Sequence, residues 1–259
     1  MALSASALIR GLVSRLLPQP NADSQNNDVA LRLKRYGDVI DPIFTKHVLA
    51  DEGAYYTACM TPAQAALAYG LQTSFADIAG FVAVMNTDLP LGQGTGKRVY
   101  LDYIKFILSV APASATAAWV AIKIDSTNRT PSANQSLITP SNMNMDSSLG
   151  SISKVWFPTG GTLTLPVAGG AARLVTGNLC LRTVIPVVSD EFIISFGNTD
   201  FSQIDQNQPA ALATVATVRK SAPPFIIGPQ QFALIHLWFP GNAVTAASFS
   251  NIEVGLVER

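Results

Sequence analysis

From about Val48 to Val257 the chain alternates short apolar, β-prone stretches with clusters of Gly, Pro, Asn, Asp and Ser. The clearer stretches are Phe81–Met85, Val99–Val110, Ala117–Ile124, Val155–Phe157, Leu163–Val167, Leu179–Val188, Glu191–Phe196, Phe225–Ile227, Phe232–Phe239 and Ala247–Val254. This layout predicts an all-β sandwich or barrel rather than a sheet with crossover helices. Within Val99–Leu108 polar and apolar residues partly alternate, which places Asp102 and Lys105 off the core face. Trp119–Ile124 repeats the pattern, with Lys123 outward. Phe232–Phe239 is apolar at both parities, so that strand is expected to be buried on both faces. Gly160-Gly161 and Gly169-Gly170 read as hairpin turns, and Ser221-Ala222-Pro223-Pro224 as a stiff turn before a strand.

Residues 1–47 follow a different pattern and form an N-terminal arm ahead of a β body at 48–259. In Ala5–Leu17 the residues Leu8, Ile9, Leu12, Val13 and Leu16 recur at helical steps and share one face. Pro18 and Pro20 end the segment. A helix this short is marginal alone in water, so its stripe must dock on its own body, on a neighbour or on a membrane surface. Arg10 and Arg15 are too few for strong membrane attraction, which favours protein. Asn21–Asp28 is a polar linker, and Val29–Tyr36 a second short helix or extended piece. Gly37–Asp51 reads as an irregular lead-in. Thr61–Gly70, with Pro62 behind a capping threonine, reads as a helical turn, or as a loop if its flanks are strands. The stretch Asp125–Gly150 is a long polar loop. Loops beyond ~12–15 residues are usually functional or mobile, so this is the first place to expect a partner. Asn198–Pro209 is a second polar loop.

A chain of 259 residues holds one large β domain or two small ones. Charged residues make up only 13%, against roughly 25% in ordinary domains. Either neighbouring subunits cover part of the surface, or the surface is simply polar and neutral. The net charge is +0, so nothing steers the molecule to nucleic acid or an anionic membrane. The clusters Arg32, Lys34, Arg35 and Lys97, Arg98 read as solvated faces. Cys59 and Cys180 have no metal spacing and sit in apolar settings, so two buried free thiols are favoured over a disulfide. The sequons at Asn128 and Asn134 matter only in a secreted eukaryotic protein. No apolar run reaches 18 residues, and the N-terminus matches a secretory signal poorly.

Candidate chemistry is thin. Gly92-Gln93-Gly94-Thr95-Gly96-Lys97 invites a phosphate-loop reading, but Leu91 stands where the first glycine belongs and Arg98 follows the lysine. A β-turn is expected there. His236 lies in an apolar strand and reads as a satisfied core histidine; His47 reads as structural. No Gly-x-Ser-x-Gly elbow or zinc-ligand cluster occurs. Asp190-Glu191 sits at a turn, and Asp200 and Asp205 in a solvated polar loop. Tyr55, Tyr56, Tyr100, Tyr103 and the tryptophans are interleaved with aliphatic residues and read as core packing. No catalytic, cofactor-binding or metal residue is assigned, and an enzyme is disfavoured. The assigned residues are the subunit-docking stripe Leu8, Ile9, Leu12, Val13 and Leu16.

Three segments, Lys46–Tyr56, Val99–Lys105 and Leu137–Asp146, give the chain a resemblance to the jelly-roll structural proteins of virus particles, especially those of tailed bacteriophages. The resemblance covers about Lys46–Arg259 and leaves out Met1–Pro20. It implies an eight-stranded double sheet, assembly into trimers or larger rings, and no catalysis. The expectation is therefore an all-β, jelly-roll-like antiparallel sandwich with an extended or helical N-terminal arm. It would serve as a virion structural protein, in the capsid or decorating it, assembled in the host cytoplasm. Its partners would be further copies of itself and other virion proteins, with no nucleic acid, cofactor or membrane span. A tail, neck or receptor-binding module that recognises a host glycan through Asp125–Gly150 is the alternative. A secreted polysaccharide-active enzyme ranks below both.

Overall fold

Two large sheets face each other across one apolar core. The computed structural model describes residues 45–60, 67–69, 72–111, 118–167, 173–174, 179–182, 187–197, 217–240 and 247–259. The first sheet contains β1 (Tyr55–Cys59), β2 (Leu67–Tyr69), β5 (Val99–Val110), β8 (Ser141–Asn142), β13 (Glu191–Phe196), β14 (Thr217–Ala222), β15 (Phe225–Ile227) and β17 (Ala247–Glu258). Its order is β14-β13-β5-β17-β1-β8, with β15 also beside β5 and β2 beside β17. The second contains β4 (Val82–Asn86), β6 (Ala118–Asp125), β7 (Gln135–Ile138), β9 (Ser153–Pro158), β11 (Arg173–Leu174), β12 (Leu179–Arg182) and β16 (Phe232–Trp238). Its order is β11-β6-β16-β4-β9-β7, with β12 beside β6. A small pair, β3 (Ala79–Gly80) and β10 (Leu163–Thr164), completes the described strands. Ladders are antiparallel apart from β13–β14, which is parallel. The described residues are mostly strand with almost no helix, as the spacing of apolar stretches predicts.

The core draws on both inner faces. Tyr56, Leu101, Ile104, Phe106, Phe192 and Val254 come from the first sheet, and Val82, Val120, Ile122, Val155, Ile235 and Leu237 from the second. Burial of such side chains stabilises by about 1.5–3 kcal/mol each relative to exposure. β13 shows the expected alternation, with Phe192, Ile194 and Phe196 inward. β5 breaks it. Gly255 pairs with Tyr103 but Leu256 pairs with Leu101, so Asp102 is an extra residue in β5. This bulge resets the phase, keeps both Leu101 and Ile104 in the core, and places Asp102 and Tyr103 off it.

β16 is buried along its whole length, as its doubly apolar sequence predicts. Its second face belongs to a smaller cluster of Ala83, Trp156, Leu163, Leu165, Phe232 and Leu234. The strap Gln72–Gly80 covers that face; it is anchored where Phe239 N donates to Gln72 O at 2.9 Å and ends in β3, whose partner β10 completes the cover.

Several local expectations change. Thr45–Asp51, expected as an irregular lead-in, is a helix. It ends at Gly53, whose φ of 69° allows Gly53 N to donate to Ala50 O and Ala54 N to Leu49 O, both at 2.9 Å. The helical turn expected over Thr61–Gly70 is replaced at Leu67–Tyr69 by strand β2, held by pairing with Ala247–Phe249. No hairpin forms at Gly160-Gly161, because β9 pairs with β4 and β7 while β10 pairs with β3. Leu163–Val167 contributes only Leu163–Thr164 as strand. β14 takes in Ser221 and Ala222, which leaves Pro223-Pro224 as the turn. The stripe Leu8, Ile9, Leu12, Val13 and Leu16, the Gly169-Gly170 turn and the Asn198–Pro209 loop lie outside the described residues.

Candidate interaction surface

The long loop expected over Asp125–Gly150 is two edge strands and a shaped turn. β7 pairs with β9 at the free edge of the second sheet, and β8 pairs with β1 at the free edge of the first. Only Thr139 and buried Pro140 separate them. One short segment therefore bounds both sheets along the same side of the sandwich. Covering edges in this way limits uncontrolled strand pairing.

Beyond β8 the order of polarity is reversed. In Asn142-Met143-Asn144-Met145 the asparagines hold the protein, Met145 faces solvent, and half-exposed Met143 touches the body through its sulfur, which accepts from Thr57 Oγ1 at 3.1 Å. Asn142 Nδ2 donates to Gly53 O at 2.9 Å and to Ser147 Oγ at 3.2 Å. Asn142 Oδ1 accepts from Asn144 N at 2.9 Å. Asn144 repeats the arrangement, donating to Asp51 O at 2.9 Å and accepting from Asp146 N at 3.0 Å. Met143 is 52% exposed, Met145 98%, Leu149 50% and Leu137 48%. Single exposed apolar residues are ordinary; several on one bonded segment make this a candidate contact surface. Unbranched, polarizable methionine suits such a surface because it adapts to what it meets. The sequence carried a signal for this in its two-residue Asn/Met alternation; composition alone reads the segment as polar.

The outer face of the first sheet carries a lattice of charges and phenols. Tyr55 Oη donates to Asp102 Oδ2 at 2.6 Å, and Lys46 Nζ lies 2.8 Å from Asp102 Oδ1. Tyr103 Oη donates to Glu253, and Lys105 lies 3.7 Å from Glu191 and 3.8 Å from Glu253. Burial, then the hydrogen bond to Asp102, raises the Tyr55 phenol above its ordinary value; burial and Glu253 do the same for Tyr103. Both phenols stay protonated donors at neutral pH, so neither supplies a base. Of the tyrosines expected in the core, only Tyr56 is there; Tyr55, Tyr100 and Tyr103 are half-buried. Cys59, expected to be buried, is an exposed free thiol. Its sequence neighbours are apolar, but strand parity places it opposite Glu253. Partial desolvation first, then the Glu253 carboxylate, hold the thiol above its ordinary value, which disfavours the reactive thiolate.

Gly255 lets the Tyr103 ring lie flat on β17. A Cβ there would fall within the ring, 2.6 Å from Cδ1 and 2.9 Å from Cζ. Gly255→Val is expected to cost about 1–3 kcal/mol by displacing a ring that cannot sink further. Urea denaturation of Gly255→Val and of Tyr103→Ala/Gly255→Val checks this. The double variant should lose less than the sum of the single losses, and a neutral Gly255→Val overturns the account.

The outer face of the second sheet holds the most deeply buried charges. Arg129 and Asp125 are both fully buried, and Arg129 Nη1 lies 3.2 Å from Asp125 Oδ2. Arg129 Nη1 also lies 3.0 Å from Asp77 Oδ2, and Nη2 donates to Asp77 O at 2.7 Å. Lys123, expected to point to solvent, leaves the core face but is covered: it pairs with Asp77 and lies 5.6 Å from the Phe75 ring centroid. Burial tends to raise the Asp77 carboxyl, but hydrogen bonds from Lys123 and Arg129 outweigh it and hold the group below its ordinary value. His236 is buried as expected. A carbonyl can only accept, so His236 Nδ1 carries the proton that bonds Ala79 O at 3.0 Å. Nε2 then keeps its lone pair, without a partner. Burial lowers the imidazole to about 4. His236 is therefore neutral at physiological pH, with its free nitrogen walled off from any substrate.

Two further clusters are structural. Asp88 accepts from Thr95 Oγ1 at 2.5 Å, Lys97 N at 2.6 Å and Thr95 N at 3.2 Å. This carboxylate occupies the place an anion would need in the Gly92–Lys97 turn, and the Thr95 hydroxyl is the main cause of its lowered pKa. Glu258 is buried, and its carboxylate accepts from Ser151 Oγ, Ser153 Oγ, Ile152 N and Ser153 N at 2.6–3.1 Å. Among the described residues no group of His, Cys, Asp and Glu could hold a metal ion, and no helix is long and apolar enough to cross a membrane. In comparisons with protein-family models, curated proteins and solved structures, the chain matches none.

Proposed function

We propose that the chain is a jelly-roll structural protein that assembles into or onto a virus particle, with a second copy of itself as the first partner. The observation that carries this reading is the strand order. Eight strands, β1, β4, β5, β6, β12, β13, β16 and β17, taken in chain order as one to eight, form a 1-8-3-6 sheet and a 2-7-4-5 sheet. Within the two larger sheets this order supports a double Greek key folded on itself, the jelly roll common in capsid proteins. Fold does not fix function, and the assembly reading draws further support from the surface. The Asn/Met segment turns apolar side chains outward from a well-bonded frame. With 17 basic and 17 acidic residues, two copies meet without net repulsion. The sequence stripe Leu8, Ile9, Leu12, Val13 and Leu16 offers a second apolar element for clasping a neighbour.

The oligomeric state of the full chain in solution, measured by light scattering after size exclusion, tests the reading. The expected result is a trimer or larger ring. Met143→Asp/Met145→Asp should shift it toward monomer, and deletion of residues 1–20 should reduce oligomer size or particle binding. A stable wild-type monomer with no affinity for purified particles overturns it.

A further inference from the structure

The strap Gln72–Gly80 is tied to the body at its ends, where Phe239 N donates to Gln72 O, Leu165 N donates to Ile78 O and Ala79–Gly80 pairs with Leu163–Thr164, and its side-chain contacts with the second sheet converge on one point. Asp77 supplies both a side chain and a backbone carbonyl to Arg129, and pairs with Lys123. Ala79 O accepts from His236 Nδ1. Phe75 packs edge-on against His236 at 5.1 Å and against Trp238 at 5.8 Å, and remains 40% exposed. Beneath this cover lies His236 Nε2, buried and unpartnered.

We propose that the strap is an acid-sensitive cover: protonation of His236 at Nε2 lifts its middle, around Phe75 and Asp77, between the tied ends and uncovers the apolar outer face of the second sheet around Trp238. A proton on Nε2 would create a buried donor with nothing to accept it, beside two cations. Among the described residues the charges facing the imidazole are Asp77 from the strap, Lys123 from β6 and Arg129 from the turn after β6. Asp125, on β6, is already bonded to Arg129 and Thr127. β4, the other neighbour of β16, brings only apolar residues at Val82–Val84. Two cations against one available carboxylate leave a third positive charge unfavoured. Once the strap lifts, water solvates the imidazolium.

The direction follows from linkage. The closed state keeps His236 neutral down to about 4, whereas an uncovered imidazole titrates near 6.5. The closed strap is therefore fully favoured above about 6.5 and loses that advantage as pH falls from there toward about 4. Asp77, held below its ordinary value, stays ionised through this window, so its ion pairs do not themselves titrate there and the pH dependence belongs to His236. The opening equilibrium should rise about twenty-fold between pH 7 and pH 5. This inference does not rest on the assembly reading, since it concerns one subunit's own cover.

Amide hydrogen exchange of the full chain, normalised for intrinsic rates, reads the opening at the strap amides against those of β5 as an internal standard. The wild type should show the twenty-fold rise in the strap while β5 stays protected. His236→Phe, which keeps an aromatic ring but cannot titrate, should abolish the rise. Asp77→Asn should increase opening at both pH values while keeping their ratio. Unchanged strap protection in the wild type, or an undiminished rise in a folded His236→Phe, overturns the proposal. If His236→Phe lacks a cooperative melt at pH 7, nuclear magnetic resonance titration of the wild-type imidazole decides: an unshifted midpoint near 6.5 with the strap closed also overturns it.

Discussion

Replacing Arg129 with methionine is expected to lower the unfolding free energy by about 3–5 kcal/mol, the cost of leaving a buried charge without its partner. Arg129 is the largest fully buried side chain among the described residues, and the buried Asp125 carboxylate pairs with its guanidinium. Methionine fills much of the volume but offers no donor. Asp125 would retain the Thr127 amide at 2.8 Å and hydroxyl at 2.6 Å, too little for a charge removed from water. The substitution also takes the donor from Asp77 O, which helps to fix the strap. Urea denaturation at pH 7 of Arg129→Met, Asp125→Asn and the double variant measures the coupling. The double variant should recover part of the loss, because no unpaired charge is left. Strictly additive losses would show that the pair contributes nothing as a pair.

Phe106→Ala is the other large effect, again about 3–5 kcal/mol, because an emptied aromatic site in a packed core collapses only partly. Phe106 lies edge-on to Phe81 at 5.1 Å, stacked on Phe192 at 5.2 Å and edge-on to Phe249 at 5.5 Å. Phe81 lies beside the second sheet, bonded through its amide to Ile235 O, whereas the other three belong to the first. The ring thus ties the two sheets together at their centre. Thermal and urea unfolding should both show the loss. Phe75→Ala, whose ring is partly in water, should cost far less in the same experiment. Equal losses for the two would contradict the burial argument.

The strands with their own apolar pattern were legible in the sequence. Val99–Val110, Glu191–Phe196 and Phe225–Ile227 match their expected bounds, and the double burial of Phe232–Trp238 was evident from its composition. Strands that depend on a partner were not. Gln135–Ile138 and Ser141–Asn142 are too short and too polar to declare themselves; they are strands because β9 and β1 present free edges to them. Leu67–Tyr69 reads locally as part of an Ala-rich turn and is drawn into the sheet by Ala247–Phe249. Thr217–Ala222, with Arg219 and Lys220 in its middle, gains its character from parallel pairing with β13.

The Asp125–Gly150 stretch, the candidate contact surface, divides in the same way. Its length and polarity are legible in the sequence. Its chemistry is not, because the polarity of Asn142-Met143-Asn144-Met145 is reversed by contacts with Gly53 and Asp51, distant in the chain. Cys59 and Lys123 carry the same lesson in opposite directions. The thiol sits among apolar neighbours yet is exposed, and the ammonium sits at an outward position yet is covered. Local hydrophobic rhythm assigns a side chain to a face of its sheet. What lies over that face is set by other segments.

By itself, then, the sequence determined the β architecture, the strands of the core and the want of a local catalytic motif, because these depend on periodicity and composition within a few residues. Tertiary structure alone decided the strand order, the bulge at Asp102, the buried Arg129–Asp125–Asp77–Lys123 cluster and the strap over His236. The strand order, the bulge and the strap come from pairings between segments tens to more than a hundred residues apart, and the cluster closes only when Asp77 meets Lys123, Asp125 and Arg129, some fifty residues on. Their energies arise only when the partners meet and exclude water, so no short window of sequence contains them.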